Sequence, residues 1–145
     1  MDTNFKISNI LYNMKHIGDL YYDLSSKAAK ECNLTKPEAD ILLFIKNNPE
    51  FNTAKDIVKL RGFSKAYVSK AVEPLLDKEL IKIEVDKEDR RCQHLSLTEK
   101  ADPLLDILLK MQSDFIDIIT EGIAKQDIKT YMYVMDQISY NSKKR

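Results

Sequence analysis

Glycine and proline are scarce, at three and four in 145 residues. A β-sandwich needs many turns, so this poverty points instead to a mostly helical chain. Cysteine is scarcer still. Cys32 and Cys92 stand alone, without CxxC or Cys/His ligand spacing. That argues against a disulfide framework or a structural zinc site and for a reducing cytoplasm. No apolar run approaches the roughly 20 residues of a membrane span, so no membrane partner is expected. The opening residues MDTNFKISN have neither a basic nor an apolar leader region, so no secretory signal is expected. With two histidines, no Ser-His-Asp neighbourhood, no Gly-rich phosphate loop and no metal-ligand cluster, enzymatic chemistry has little to work with. No cofactor is expected.

An excess of charge is also missing, because 23 basic and 23 acidic residues cancel. A zero net charge argues at first against nucleic acid, but the distribution matters more than the sum. Residues 1–50 carry 6 basic and 7 acidic side chains, and residues 98–145 carry 7 and 8. Residues 53–93 carry 10 and 8, so the middle is the one basic part. A hydrophobic fraction of 43% with 32% charged residues is that of a folded chain with a well-solvated surface. The length suits a single domain, 1–145.

From Phe5 to Ala28, apolar residues recur at three- and four-residue steps and predict a long amphipathic helix ending near Cys32-Asn33. Thr35 and Glu38 form a capping box, and the run Ile41 to Ile45 predicts a buried central helix over Glu38 to Lys46. Thr53 is the next N-cap, before a short helix over Lys55 to Leu60. After Arg61-Gly62-Phe63, Ser64 caps a helix over Lys65 to Lys78. That pairing reads as a helix-turn-helix. Pro74 should bend or locally unwind the second half of its helix.

Ile81 to Val85 and His94 to Leu97 alternate as two half-buried strands around the charged turn Asp86 to Arg91. Beyond them, either Thr98 caps an irregular first turn, or Asp102 is the N-cap with Pro103 in first position. A stripe from Leu104 to Ile123 and a last helix over about Gln126 to Tyr140 follow, with SKKR as a frayed tail. The apolar stripes at the two ends exceed what one domain of this size needs and predict a symmetric homodimer.

The run Asp86-Lys87-Glu88-Asp89-Arg90-Arg91, followed by Leu95-Ser96-Leu97-Thr98-Glu99-Lys100, resembles the wing and following strand of the MarR family of bacterial transcription factors. The order of elements over nearly the whole chain resembles that family too. The resemblance implies a mostly α fold with a small β-hairpin. Residues 35–98 would be the winged helix-turn-helix, and 1–32 with 99–145 the helical dimerisation part. It implies a homodimeric regulator, most often a repressor, on double-stranded DNA with an inverted-repeat operator. Recognition helix 64–78 would enter the major groove and wing 81–97 the minor groove. Ser64, Lys65, Ala66, Tyr67, Ser69 and Lys70 carry over as the exposed start of the recognition helix. Arg91 carries over as the minor-groove residue, with Arg90 in support and Asp89 as the carboxylate that holds the wing arginines.

Those residue types suit the task. A helix N-terminus at Ser64 and Lys65 offers free N–H groups to a phosphate. Lys70 can reach a guanine edge or a phosphate, and Tyr67 a thymine methyl or a phosphate, unless its ring packs inward. The planar, weakly hydrated guanidinium of Arg91 fits a narrow minor groove. The family also implies release by a small aromatic or anionic effector. Tyr12, His16 and Tyr22 with Phe44 are the candidates to line its cleft, although each also serves as ordinary packing. Two other readings stay open: a winged-helix protein–protein module, and redox sensing through Cys92 beside Arg91.

Overall fold

The computed structural model describes residues 5–145, so part of the stretch read for a leader, 1–4, lies outside the described residues. Helix α1 spans Ile7–Glu31. It ends because Asn33 adopts a left-handed φ of 54° and turns the chain. The N–H groups of Asn33 and Leu34 then reach back to the carbonyls of Lys30 and Ala29, at 3.0 and 2.9 Å, which is a Schellman closure. Its last turns bury Ser25, Ala28 and Ala29, whereas Ile7, Leu11, Tyr12 and Met14 at its start stand in solvent.

Helix α2, Lys36–Asn47, starts from the reciprocal capping box of Thr35 and Glu38 and buries every residue from Glu38 to Ile45. It is the axle of the molecule. Ile41 and Leu42 have no exposed surface, and around them lie Ile57, Val68, Ala71, Leu75, Leu95, Leu105 and Leu108. Each such Ile, Leu or Val side chain contributes about 1.5–3 kcal/mol by leaving water.

Helix α3, Ala54–Arg61, has its own capping box, Thr53 with Asp56, and buries Ile57; Leu60 points outward. Gly62, at φ 71°, closes it and sets the turn into α4, Lys65–Asp77, whose first turn Ser64 caps by accepting the Tyr67 N–H at 3.0 Å. Nothing lies within 4 Å of a Cβ built on Gly62, so the glycine is needed for its backbone alone. Gly62→Ala is therefore expected to cost about 1–2 kcal/mol, the left-handed penalty of an L-residue. Urea unfolding would read it, and an unchanged midpoint would show that the turn relaxes.

Pro74 does not unwind α4, which is helical through Asp77. The carbonyl that forfeits its partner belongs to Lys70, on the exposed side of the helix. The end comes instead from a second Schellman closure. Glu79 sits at φ 58°, and the N–H groups of Glu79 and Leu80 bond the carbonyls of Leu76 and Leu75 at 2.9 and 3.0 Å.

Strands β1, Ile81–Val85, and β2, Gln93–Leu97, pair antiparallel with Ile81 opposite Leu97 and Val85 opposite Gln93. Only the base of this hairpin is buried, through Ile81 and Leu95. Ile83 and Val85 were expected to be half-buried like Ile81, but they are exposed because the hairpin projects past the core. Asn52 and Thr53 add an edge outside β2, with the Leu95 N–H bonded to the Asn52 carbonyl at 2.8 Å and a bridge between Thr53 and His94.

A single 3₁₀ turn, Glu99–Ala101, leads into α5, Asp102–Thr120, and a glycine turn into α6, Lys125–Lys143. Neither expected cap forms at α5. The Thr98 hydroxyl bonds the Glu79 carbonyl at 2.6 Å, and Asp102 already lies inside the helix. Ser142 and Lys143, expected as frayed tail, are helical. Buried residues of α5 stop at Met111, and α6 has none. No described helix is long and apolar enough to cross a membrane.

Candidate nucleic-acid interface

The first turns of α4 carry Lys65, Ala66, Ser69 and Lys70 on the exposed side, with Val68 and Ala71 turned into the core. Ser64 is exposed as well, but its hydroxyl oxygen already accepts the Tyr67 N–H. Tyr67 departs from the expected outward pose. Its ring lies 4.6 Å from that of Phe63, and its hydroxyl donates to Asp40 Oδ2 at 2.7 Å. Burial first, then the Asp40 hydrogen bond, pushes that hydroxyl well above the usual phenol value. Tyr67 thus fixes α4 onto α2, and its hydroxyl is not free for a phosphate.

A second tie holds the other end of α4. Lys78, at its C-cap, pairs with Glu38 Oε2 at 2.5 Å, and Glu38 also receives the Thr35 hydroxyl at 2.8 Å. Burial pushes the Glu38 carboxyl up, but the hydrogen bonds from Lys78 and Thr35 outweigh it and leave it below the ordinary carboxylate range.

In the wing, two aspartates fold the loop between the strands. Asp86 Oδ1 accepts the N–H groups of Glu88 and Asp89 at 2.8 and 3.3 Å, while its backbone N–H bonds the Cys92 carbonyl at 3.0 Å. Asp89 Oδ1 accepts the Arg91 N–H at 3.0 Å. The expectation that Asp89 holds the wing arginines thus needs a correction. It holds the backbone of Arg91, not a guanidinium, because a short carboxylate captures amides two residues on more readily than it reaches a long side chain. His94 Nε2 lies 3.0 Å from Asp86 Oδ2, and His94 Nδ1 lies 2.6 Å from Asn52 Oδ1. The His94 contact first, then the two amides, lowers the Asp86 carboxyl below its ordinary value. Arg90 and Arg91 are exposed, and among the described residues neither they nor Lys65 and Lys70 take part in an ion pair.

The four residues expected around an effector do not come together. Tyr12 and His16 stack edge to face at 4.2 Å on the exposed start of α1, and Tyr22 lies under Lys36. Phe44 alone lines a cleft of about 360 Å³, together with Tyr21, Asp40, Asn47, Arg61 and Gln112. Helical spacing put Tyr12 and His16 on one face but could not say that α2, α3 and α5 converge a turn and a half further along. Asp40 was missed, although a carboxylate within the buried run Ala39 to Ile45 was itself a sign that something must pair with it. Its Oδ2 receives Lys36 and Tyr67, and its Oδ1 is buried without a partner. Cys32 is buried, its thiol on the Leu104 carbonyl at 3.7 Å; burial first, then the charge of Glu31, pushes it up.

A helix-turn-helix followed by a two-stranded hairpin, with an exposed basic helix start and exposed arginines at the hairpin tip, defines a winged helix-turn-helix protein. The model of the MarR family matches residues 33–91 of this chain. It is 28% identical over 98 residues to the HTH-type transcriptional regulator TcaR of Staphylococcus aureus strain Newman, covering 66% of this chain. The match spans 65% of that relative's length. Two solved structures share the fold. The MarR-family transcriptional regulator of Listeria monocytogenes complexed with 26mer DNA superposes at a TM-score of 0.73, with 19% identity over 88% of this chain and 87% of that one. BpsR of Bordetella bronchiseptica, whose DNA binding is regulated by 6-hydroxynicotinic acid, superposes at 0.69, with 16% identity over 96% of each chain.

Proposed function

We propose that this chain is a DNA-binding transcriptional regulator that acts as a homodimer on an inverted-repeat operator. The observation that carries this reading is the set of free cations Lys65, Lys70, Arg90 and Arg91. Two stand on the exposed start of α4 and two at the tip of a hairpin stiffened by Asp86 and Asp89. A helix start of that kind enters a major groove, and an arginine-tipped hairpin reaches the adjacent minor groove. The DNA complex of the Listeria relative supports the assignment. Two copies joined through α1, α5 and α6 would set the recognition helices about 34–36 Å apart, one turn of DNA.

The test is fluorescence anisotropy with duplexes from the gene's own upstream region over a series of salt concentrations. Affinity should fall steeply with salt, with a log–log slope of about −0.9 for each phosphate neutralised. Arg91→Ala should weaken binding by about 1–3 kcal/mol, and Lys70→Ala should flatten the slope by about one. An Arg91→Ala affinity equal to that of the parent would exclude the wing contact. Absence of any salt-dependent binding would favour a protein–protein module.

Release by a small molecule forms part of the same reading. The cleft of Tyr21, Phe44, Asp40 and Arg61 offers two aromatic faces and a cation. That set suits an aromatic acid. Such a ligand would touch Asp40, which also holds Tyr67 of the recognition helix.

A further inference from the structure

We propose that the base of the wing is a site for a divalent metal of the zinc class, held by Asp86 Oδ2, Cys92 Sγ and His94 Nε2. These three atoms all lie within 4.8 Å of one another, with Nε2 3.0 Å from the carboxylate oxygen and 3.7 Å from the sulfur. Zinc bonds of about 2.0–2.3 Å in tetrahedral arrangement put neighbouring ligand atoms roughly 3.3–3.6 Å apart. The two edges at His94 Nε2 therefore need to change by only a few tenths of an ångström, and the edge between Asp86 and Cys92, within 4.8 Å, by about 1.3 Å at most, to seat an ion.

The hairpin produces this convergence. Cys92 and His94 are two residues apart and share a face, and the register that pairs Val85 with Gln93 brings Asp86 across from Cys92. The sequence showed only a Cys-x-His pair and an aspartate six residues earlier, which match no familiar ligand spacing. The structure also supplies what a histidine ligand needs behind it. Asn52 Oδ1, 2.6 Å from His94 Nδ1, accepts that nitrogen's proton and leaves Nε2 to face the other two ligands. Asp86 is oriented in the same way, since its other oxygen is occupied by the amides of Glu88 and Asp89. All three ligands are half-buried, so an ion can enter without opening the core.

The donor set selects the metal. A thiolate and an imidazole suit zinc and its neighbours and disfavour calcium and magnesium, which prefer oxygen. Three protein ligands leave a fourth position for water. Binding displaces the thiol proton of Cys92 and any proton on His94 Nε2 into solvent, and no electron moves. Coordinate bonds would then replace the hydrogen-bonded junction across the loop that carries Arg90 and Arg91. The site's existence does not rest on the DNA-binding reading and can be tested without DNA.

The probe is cobalt(II), titrated into the full, reduced chain in a non-thiol reductant and then displaced by zinc. The expected result is one equivalent per chain, with a thiolate-to-cobalt charge-transfer band and the visible bands of a four-coordinate ion. Cys92→Ser should abolish the charge-transfer band. Asn52→Ala should weaken zinc binding about 10–100-fold while leaving the band in place at saturation. Circular dichroism shows whether each variant folds. Should they not fold, alkylation of the parent chain decides: zinc should protect Cys92, with buried Cys32 as the internal reference. Cobalt binding without a thiolate band, zinc affinity unmoved by Cys92→Ser in a folded variant, or unprotected Cys92 would each overturn the proposal.

Discussion

Replacing Ile118 and Met132 together by aspartate is expected to give a folded monomer that binds operator DNA at least about 100-fold more weakly. Both side chains are half exposed on the described chain, at 50% and 55%, so the charges cost the fold of one copy little. They would instead fall among the apolar side chains that the three helices leave exposed: Ile7, Leu11 and Met14 of α1, Ile116 and Ile118 of α5, and Tyr131, Met132, Met135 and Ile138 of α6. The proposed dimer would cover them. The loss follows from linkage. Two half-sites gripped by one dimer gain about 10²–10⁴ over one grip alone, and a monomer forfeits that gain. Sedimentation and anisotropy on the same samples would check it. A double variant that still sediments as a dimer and binds as before would place the interface elsewhere.

The second large effect concerns how α4 is held. Lys78→Met should lower the unfolding free energy by about 2–3 kcal/mol. That is less than the roughly 3–5 kcal/mol of a fully buried pair, because the lysine is partly in water while Glu38 is not. Left without its cation, the Glu38 carboxylate keeps only Thr35 as a partner. The pH dependence has a definite sign. In the folded chain the Glu38 carboxyl is lowered. Its contribution is therefore complete above the ordinary glutamate value of about 4.3 and is lost as pH falls through the lowered folded value. Urea unfolding from about pH 7 to pH 3 should show the parent losing stability on this limb. In Lys78→Met the limb should be shallower, because the lowering is largely gone. Parallel curves for the two proteins would mean that the pair is screened and contributes nothing specific.

Most of the fold was legible because its signals are local. Thr35 with Glu38, Thr53 before α3, Ser64 before α4 and the glycine at position 62 each act within four residues, and each lies where the pattern put it. The wing was legible for a related reason. An aspartate that captures amides two and three residues on needs nothing from the rest of the chain, as Asp86 and Asp89 show. What remained hidden depends on partners far apart in sequence. Tyr67 and Asp40 are 27 residues apart, and no periodicity says that one will donate to the other. His94 finds Asn52 from 42 residues away, and Tyr21 meets Gln112 from 91. The unwinding expected at Pro74 fails for the opposite reason. The local rule is sound, but the forfeited bond falls on the exposed side, and Val68, Ala71 and Leu75 stay buried, so the helix runs on to Asp77.

Helix α6 runs for 19 residues without one buried side chain. Most helical stability in proteins comes from packing of an apolar face, so in the proposed dimer the partner chain would supply the surface that orders it. In such a dimer the ordering of α6 and association are a single equilibrium, and mass action governs this last helix. The melting temperature should rise with protein concentration, and dilution should fray α6 before it touches the wing.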